Sequence, residues 1–399
     1  MAKDRFLLLL LSLSVLLVPI SALLSSRLLI VTLVVAFFAK WKELNIKVLL
    51  RQSYDLILFF VILLVGLIYS QDFQMGFRQV ETNLSFIGIP LIFAAFTKIV
   101  PNRLKEIFSA FILGCLIASL FCLTKAIITY LQTGDIKAFF FYNFTGPIDS
   151  HPTYFAYYLI FAIACGLYFL YYETQPSPTY WVIALTIFLF LILLLTGGQT
   201  AYISVLLIFS FFILKFLLDD KSERKGIVAA IIVILTFAMF AVLLFIQNGE
   251  ALLELSSQND YWERMVLWES ALKANTNPLL GVGTGDYNLV LNEYYRDHNL
   301  LKYANDNFNS HNQFVQIYFS NGIVGLCGLI TLLARPLYLS IKYQNPLGVI
   351  VFFPFIIYGV TEVFLSRFQG VVFFVLIHQI FISTYYLDSV SDLLKAKKF

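Results

Sequence analysis

Residues 4–25 read DRFLLLLLSLSVLLVPISALLS, a charged start followed by an almost unbroken apolar run. A bilayer core about 30 Å thick requires about 20 apolar residues per helix, and this run is long enough. A charged start before an apolar run is also typical of a secretory signal peptide. Because further apolar runs follow at once, we expect residues 6–23 to be retained as a first membrane helix.

Similar apolar runs recur along the whole chain. The chain is 60% hydrophobic and 13% charged, with a mean hydropathy of +0.82, whereas about 25% of the residues of a soluble domain are charged. The sequence therefore predicts an all-α integral membrane protein with about twelve transmembrane helices. The predicted spans are residues 6–23, 28–39, 55–70, 84–99, 107–128, 153–172, 179–196, 200–217, 227–246, 312–334, 346–364 and 368–386.

Charge and cysteine placement limit the function classes. Most of the 27 Lys and Arg residues fall in connections on the side of the N-terminus, and cytoplasmic connections are rich in these residues. Both termini are therefore predicted to be cytoplasmic. The net charge of +3 follows from this bias and does not indicate nucleic-acid binding. All four cysteines lie in predicted spans, which indicates neither a disulfide framework nor a metal cluster.

Two outward connections are longer than the others. The first, QTGDIKAFFFYNFTGPIDSH at residues 132–151, is rich in aromatic residues that favour a membrane interface. The second, residues 247–311, is here called the long loop, and a loop of this length is usually functional or disordered. We divide the sequence into three regions: an N-terminal bundle (1–178), a core that includes the long loop (179–335), and a C-terminal hairpin with a tail (336–399).

The first half of the long loop has helical spacing. Arg264, Leu267, Trp268 and Ala271 share one face of a helix, and Asn277 with Pro278 ends it. The glycines of the following GVGTGDY segment permit backbone turns, but they lack the spacing of a dinucleotide-binding motif. We therefore expect at least one short amphipathic helix within the long loop.

Residues 310–325 read SHNQFVQIYFSNGIVG and enter the tenth predicted span. Ser310 and Gln313 match a capping box, which would place His311 in the first turn of a membrane helix. The positive end of the helix dipole disfavours an imidazolium there, and a neutral imidazole can accept a proton. Gly322 and Gly325 would let a neighbouring helix approach closely. The alternative is that His311 only marks the end of a helix.

The order of His311, Asn312, Gly322 and Gly325 resembles the signature of the O-antigen ligase and O-antigen polymerase superfamily. RMVLWESALKANTNPLLGVGTGDY, which starts at Arg264, is similar to the loop of that family, and HPTYFAYYL at His151 adds to the likeness. The resemblance implies an inverting, metal-independent glycosyltransferase without a cofactor. Its donor would be an undecaprenyl-pyrophosphate-linked glycan, and its acceptor a hydroxyl of a glycan or of the lipid A core. The site would face the periplasm from the bacterial inner membrane.

The resemblance also assigns roles to individual residues. Arg264 would hold the pyrophosphate, for which a bidentate guanidinium is suited, unless it forms a surface ion pair with Glu263 or Glu269. His311 would activate the acceptor hydroxyl, and Asn312 would bind substrate beside it.

Other substrate-binding residues are expected outside the long loop. Where members of the family usually carry an Arg, this chain has Gln199, and Arg367 is the first candidate among the outer cations to replace it. His151 would line the acceptor path, or it would only shape the turn before Pro152. The other two histidines are not expected in the site. His298 is predicted to be solvated, and His378 is predicted to form a hydrogen bond between helices.

Two other function classes compete with the transferase. A transporter or flippase for lipid-linked glycans would show paired repeats, interrupted helices and ionisable residues within its spans. Here the ionisable residues are expected at the ends of the spans. A non-catalytic scaffold would not require a His beside an Arg-bearing helix. The sequence does not distinguish a ligase from a polymerase, because both share donor and motif.

Overall fold

The apolar runs form helices throughout the computed structural model, which describes residues 2–40, 42, 44–95, 103–172, 179–196, 198–218, 225–248 and 261–396. These residues contain no β-strand. The helices are α1 (Ala2–Leu17), α2 (Ala22–Lys40), α3 (Ile46–Ile68), α4 (Phe73–Thr82), α5 (Ser85–Ala95), α6 (Leu104–Thr133), α7 (Phe141–Thr145), α8 (Pro152–Tyr172), α9 (Thr179–Leu195), α10 (Gln199–Leu218), α11 (Lys225–Asn248), α12 (Tyr261–Ala274), α13 (Tyr287–Asp297), α14 (Leu301–Asn305), α15 (Gln313–Lys342), α16 (Pro346–Thr361) and α17 (Phe368–Ala396).

The helices confirm an all-helical chain with several candidate membrane spans. Among the described residues, six helices are long and apolar enough to cross a membrane, namely α2, α3, α6, α8, α15 and the first part of α17. Shorter apolar helices lie within α9, α10, α11 and α16. The described part of each predicted span lies mostly in a helix, but two spans are interrupted, the tenth at Gly322 and the first near Leu17. There α1 ends at Leu17, two residues before Pro19, because a proline restricts the residue before it and cannot donate a helical hydrogen bond.

The chain divides into two compact units. One comprises residues 1–11, 26–104 and 259–399, and the other comprises residues 12–25 and 105–258. The first unit contains the described part of the long loop together with α3, α15, α16 and α17. The second contains the aromatic segment at residues 132–151 and the helices α8 to α11.

From residue 261 onward the long loop is folded, and the predicted amphipathic helix is present as α12. Leu267 and Ala271 on its inner face are buried against Leu291 and Tyr295 of α13 and Phe319 of α15, and Trp268 packs on the same cluster. The apolar face predicted from the spacing therefore holds the long loop on α15. Residues 249–260 lie outside the described part of the chain.

The helix α15 is broken at Gly322, whose φ of 63° and ψ of −160° are not helical. The segment after α12 fills the break with its own backbone. Val282 N–H donates to Phe319 O at 3.0 Å, Gly283 N–H to Ser320 O at 2.9 Å, and Ile323 N–H to Pro278 O at 2.9 Å. Because peptide groups without partners are costly in a membrane, this segment makes the break tolerable.

The prediction that Gly322 admits a neighbouring helix is wrong. A Cβ at Gly322 would lie 2.2 Å from the carbonyl oxygen of Leu279, so the glycine admits the backbone of the long loop. Asp286 holds the same stretch of the long loop against the connection between α3 and α4. Its carboxylate accepts from Gln71 N–H at 2.8 Å and from Asp72 N–H at 2.7 Å in that connection.

Candidate functional site

Arg264 extends from the second turn of α12 toward the end of α16. Its Nη1 donates to the carbonyl oxygen of Thr361, the last residue of α16. The two carboxylates considered as surface partners contact lysines, since Glu263 lies 2.5 Å from Lys302 and Glu269 lies 2.6 Å from the Lys273 ammonium. The bond to Thr361 fixes the plane of the guanidinium beside the α16–α17 connection.

His311 lies just before α15 in a left-handed backbone conformation, with φ at +44°. Its N–H donates to Asn309 Oδ1 at 2.8 Å, and its ring lies 5.7 Å from the ring of Phe308. The prediction that His311 occupies the first helical turn is therefore wrong. Such a conformation in a residue other than glycine costs about 1–3 kcal/mol and is often found at functional sites.

The capping box predicted from Ser310 and Gln313 is also wrong, because Asn312 is the N-cap. Asn312 Oδ1 accepts from Phe314 N–H at 2.9 Å and from Val315 N–H at 3.1 Å. The Oγ of the buried Ser310 contacts Gln316 Oε1 at 3.1 Å. These contacts fix the backbone that carries His311. The side-chain oxygen of Asn312, a residue predicted to bind substrate, is used for capping.

The connection between α16 and α17 lies directly opposite His311. Glu362 Oε2 is 3.8 Å from His311 Nδ1, and the two side chains are 18% and 34% exposed. Gln313 Oε1 accepts from Leu365 N–H at 2.7 Å, which ties the connection to the start of α15. A cation, a carboxylate and an imidazole are thus assembled in one partly exposed cluster, here called the outer cluster and defined as Arg264, His311 and Glu362.

Arg367 lies at the end of the same connection and is exposed. Its carbonyl oxygen accepts from Gly370 N–H and Val371 N–H at the start of α17. Burial raises the pKa of Tyr287 in the long loop, and the positive charge of Arg367 opposes that rise. The structure therefore places Arg367 within electrostatic reach of the long loop, in the same unit as the outer cluster.

His151 belongs to the second compact unit. Its Nε2 is 2.6 Å from the hydroxyl oxygen of Tyr142, and its Nδ1 accepts from Thr153 N–H at 3.3 Å, in the first turn of α8. These contacts agree with the turn-shaping alternative. Gln199 is the first residue of α10 in the same unit, and its side chain lies outside the described part of the structure.

The two remaining histidines lie where the sequence predicted. His298 is exposed, and its ring stacks on Tyr294 with centroids 3.9 Å apart. His378 is fully buried in α17, and its Nε2 is 2.8 Å from Asp55 Oδ2 of α3. The prediction of a hydrogen bond between helices is confirmed for His378.

Sequence reasoning missed Glu362 as a partner of His311. The only sequence signal was a Thr-Glu pair at the end of the eleventh predicted span, which resembles an ordinary helix end. Among the described residues, no group of three or more His, Cys, Asp or Glu side chains is arranged to hold a metal ion.

Residues 184–330 match the family described as O-antigen ligase. The chain therefore carries an O-antigen ligase domain. The matched residues include Gln199, Arg264, His311 and Asn312, but they exclude His151, Glu362 and Arg367. No curated protein matches the chain.

The domain match confirms the predicted superfamily and indicates an enzyme of polysaccharide assembly. Together with the apolar helices, it indicates a multi-pass membrane protein. The transporter alternative is not favoured by this match, although an interrupted helix, one of the features expected of a transporter, is present in α15.

Proposed function

We propose that this O-antigen ligase domain transfers a glycan from undecaprenyl pyrophosphate to a sugar hydroxyl at the periplasmic face of the bacterial inner membrane. The observation that carries the proposal is the outer cluster, in which Arg264 and His311 approach the adjacent residues Thr361 and Glu362 from different helices. The acceptor would be a growing glycan or a lipid A core.

His311 is proposed as the general base. Its Nδ1 faces the Glu362 carboxylate, which leaves Nε2 directed toward the acceptor. Nε2 takes the proton of the acceptor hydroxyl, the hydroxyl oxygen bonds to the anomeric carbon, and the bond from that carbon to the pyrophosphate oxygen breaks. A single displacement of this kind inverts the anomeric configuration. The negative charge of Glu362 stabilises the imidazolium that forms.

Arg264 is proposed to hold the pyrophosphate of the donor. A guanidinium has five N–H donors in a rigid fork, and the bond to the Thr361 carbonyl fixes its orientation. The charge that develops on the leaving pyrophosphate is stabilised best by a cation already in place. In this proposal the protein itself supplies the positive charge, without a metal ion. Arg367, in the same unit, would add a second cation, while Asn312 would act by fixing the backbone beside His311.

Gln199 and His151 are proposed as donor-side and acceptor-side contacts, respectively. An amide at Gln199 would bond a phosphate oxygen without neutralising it. His151, whose ring is held by Tyr142 and Thr153, would line the acceptor path.

The test is a reconstituted transfer assay with purified lipid-linked donor and acceptor in the presence of EDTA. We expect His311→Ala and Arg264→Ala each to lower transfer by at least about 1000-fold at unchanged protein levels. The matched controls are His298→Ala and Arg296→Ala, which remove exposed residues of the same loop. Near-normal transfer by both site variants would contradict the assignment.

The products of the same assay separate the two enzyme types. A ladder of repeat-unit lengths on the lipid carrier would indicate a polymerase. Glycan attached once to a terminal acceptor would indicate a ligase.

A further inference from the structure

A second group of ionisable side chains is buried inside the first unit. Asp55 of α3 contacts Arg335 of α15 through Oδ1, and its Oδ2 lies 2.8 Å from Nε2 of His378 in α17. The side chains of Asp55 and His378 are 0% exposed, and that of Arg335 is 11% exposed. These three residues are here called the inner node. Asp55 begins the third predicted span and Arg335 follows the tenth, as expected for ionisable residues, and His378 lies within the twelfth.

Hydrogen bonds on both sides orient the ring of His378. Ser53 Oγ donates to Gln379 Oε1 at 3.3 Å, which leaves the amide nitrogen of Gln379 facing His378 Nδ1 at 3.4 Å. The other ring nitrogen, Nε2, is directed at Asp55 Oδ2. Asp55 and Arg335 carry opposite charges and are in contact.

Arg335 also closes a break in α3. Ser53 leaves the helical conformation, with φ at −133° and ψ at 15°. The carbonyl oxygens released by this break accept from the guanidinium, Gln52 O at 3.0 Å and Arg51 O at 2.7 Å. The guanidinium also lies 4.2 Å from the ring centroid of Tyr54. Arg335 therefore satisfies both the carboxylate of Asp55 and the broken backbone beside it.

We propose that the inner node is a positioning device for the outer cluster: Asp55 fixes α15 and α17 against α3, and this keeps His311 and Glu362 opposed. His311 directly precedes α15, and Glu362 lies in the connection that leads into α17. Arg335 and His311 lie on opposite sides of the break at Gly322. The long-loop segment that fills the break is hydrogen-bonded to both halves of α15, so a charged contact in the second half constrains the position of the first half. The effect on transfer rests on the proposed function, whereas the effect on stability does not.

A double-mutant cycle distinguishes charge compensation from simple packing. Asp55→Asn leaves the positive charge of Arg335 buried without compensation, and Arg335→Gln leaves a buried negative charge. The double variant removes both charges at nearly constant volume. If the node acts through charge, the double variant is more stable and more active than either single variant. If the side chains only fill space, the two single effects add.

Each variant is purified in detergent, and thermal unfolding and the kcat and KM of transfer are measured. We expect each single variant to lower the unfolding temperature and to lower kcat about tenfold with little change in KM, and the double variant to recover kcat to within about threefold of the parent. If the single variants do not accumulate in cells but the double variant folds, that result also supports the proposed role of the inner node. Additive losses, or a double variant that fails to accumulate, overturn it.

The exposed pair Glu269 and Lys273 supplies the matched control, since Glu269→Gln and Lys273→Gln should change neither readout. The two proposals fail in different ways. Normal transfer by His311→Ala would overturn the proposed function and leave the unfolding data of the node cycle valid. Additivity in the unfolding data would overturn the node, whatever the result at His311.

Discussion

The outer cluster and the inner node contain the same three kinds of side chain, an arginine, a histidine and a carboxylate, in opposite settings. In the outer cluster the imidazole and the carboxylate are 3.8 Å apart and partly exposed. In the inner node they are 2.8 Å apart and fully buried. The outer arginine bonds a backbone carbonyl, whereas the inner one bonds the carboxylate itself. Residue type alone therefore does not identify a reactive site.

The difference has a physical basis in solvation. A buried charge is tolerated only with a partner and full hydrogen bonding, so the inner node has no capacity left for a substrate. The outer cluster is accessible, and its histidine has a strained backbone. Solvent access and backbone strain favour the outer cluster as the reactive site. Burial and complete hydrogen bonding favour the inner node as a structural contact.

The largest expected effect comes from Gly322→Ala, because α15 carries Arg335 of the inner node and its N-cap, Asn312, follows His311 of the outer cluster. The added Cβ would collide with the Leu279 carbonyl, and the positive φ strains any other residue. We expect loss of transfer and little folded protein, measured by size-exclusion chromatography and the transfer assay. Gly226→Ala in α11 is the control, since a Cβ there meets open space. Normal folding of Gly322→Ala would contradict the role of the loop in filling the break.

Removal of the inner histidine should act on stability. His378→Ala deletes the bond to Asp55 and leaves a cavity among α3, α15 and α17, with an expected cost of about 3 kcal/mol. Thermal unfolding followed by tryptophan fluorescence measures this loss. His298→Ala should leave the unfolding temperature unchanged. An unfolding temperature of His378→Ala equal to that of the parent would remove the contrast between the two histidines.

Removal of the outer carboxylate should act on rate. Glu362→Ala is expected to lower transfer about 30-fold, because the imidazolium formed by His311 loses a stabilising charge, while the unfolding temperature stays within a degree or two of the parent. Glu293→Ala, which removes an exposed glutamate of α13, is the control. Transfer within twofold of the parent would show that Glu362 is only a neighbour of His311.

The smallest effect is expected at Gln199, outside both regions. Gln199→Ala should lower transfer by less than about threefold, far less than Arg264→Ala, because an amide cannot neutralise a phosphate. Donor KM and kcat in the reconstituted assay measure it. A loss as severe as that of Arg264→Ala would show that Gln199 holds the phosphate.

The sequence was sufficient for most of the helices, because long apolar runs have few alternative structures. It also singled out Arg264 and His311 as candidate site residues, in motifs that resemble a family that the domain match confirms, and their roles stay predictions. The start of the helix after His311 was predicted two residues too early, because the observed cap is Asn312 and not Ser310. Asn312 is as good a cap as Ser310, and only the tertiary bonds of Ser310 and Gln313 decide between them.

The long-range contacts could not be derived from the sequence. Glu362 contacts His311, and Arg335 contacts Asp55. These pairs are far apart in the sequence, and the spacing of apolar residues gives no information about contacts at such distances. The break at Gly322 was hidden for the same reason. A glycine in an apolar run is compatible with close helix packing, and the loop backbone that fills the break lies about forty residues earlier in the chain.

The filled break in α15 also constrains the order in which the protein is made. The segment that enters it, residues 278–283, is synthesised before α15, so the peptide groups of Val282 and Gly283 lack their partners Phe319 and Ser320 until α15 exists. The contacts of Arg264 and His311 with Thr361 and Glu362 form later still, after α16 has been translated. The outer cluster is therefore assembled at the end of synthesis, and a ribosome-bound chain that stops before residue 361 cannot contain it.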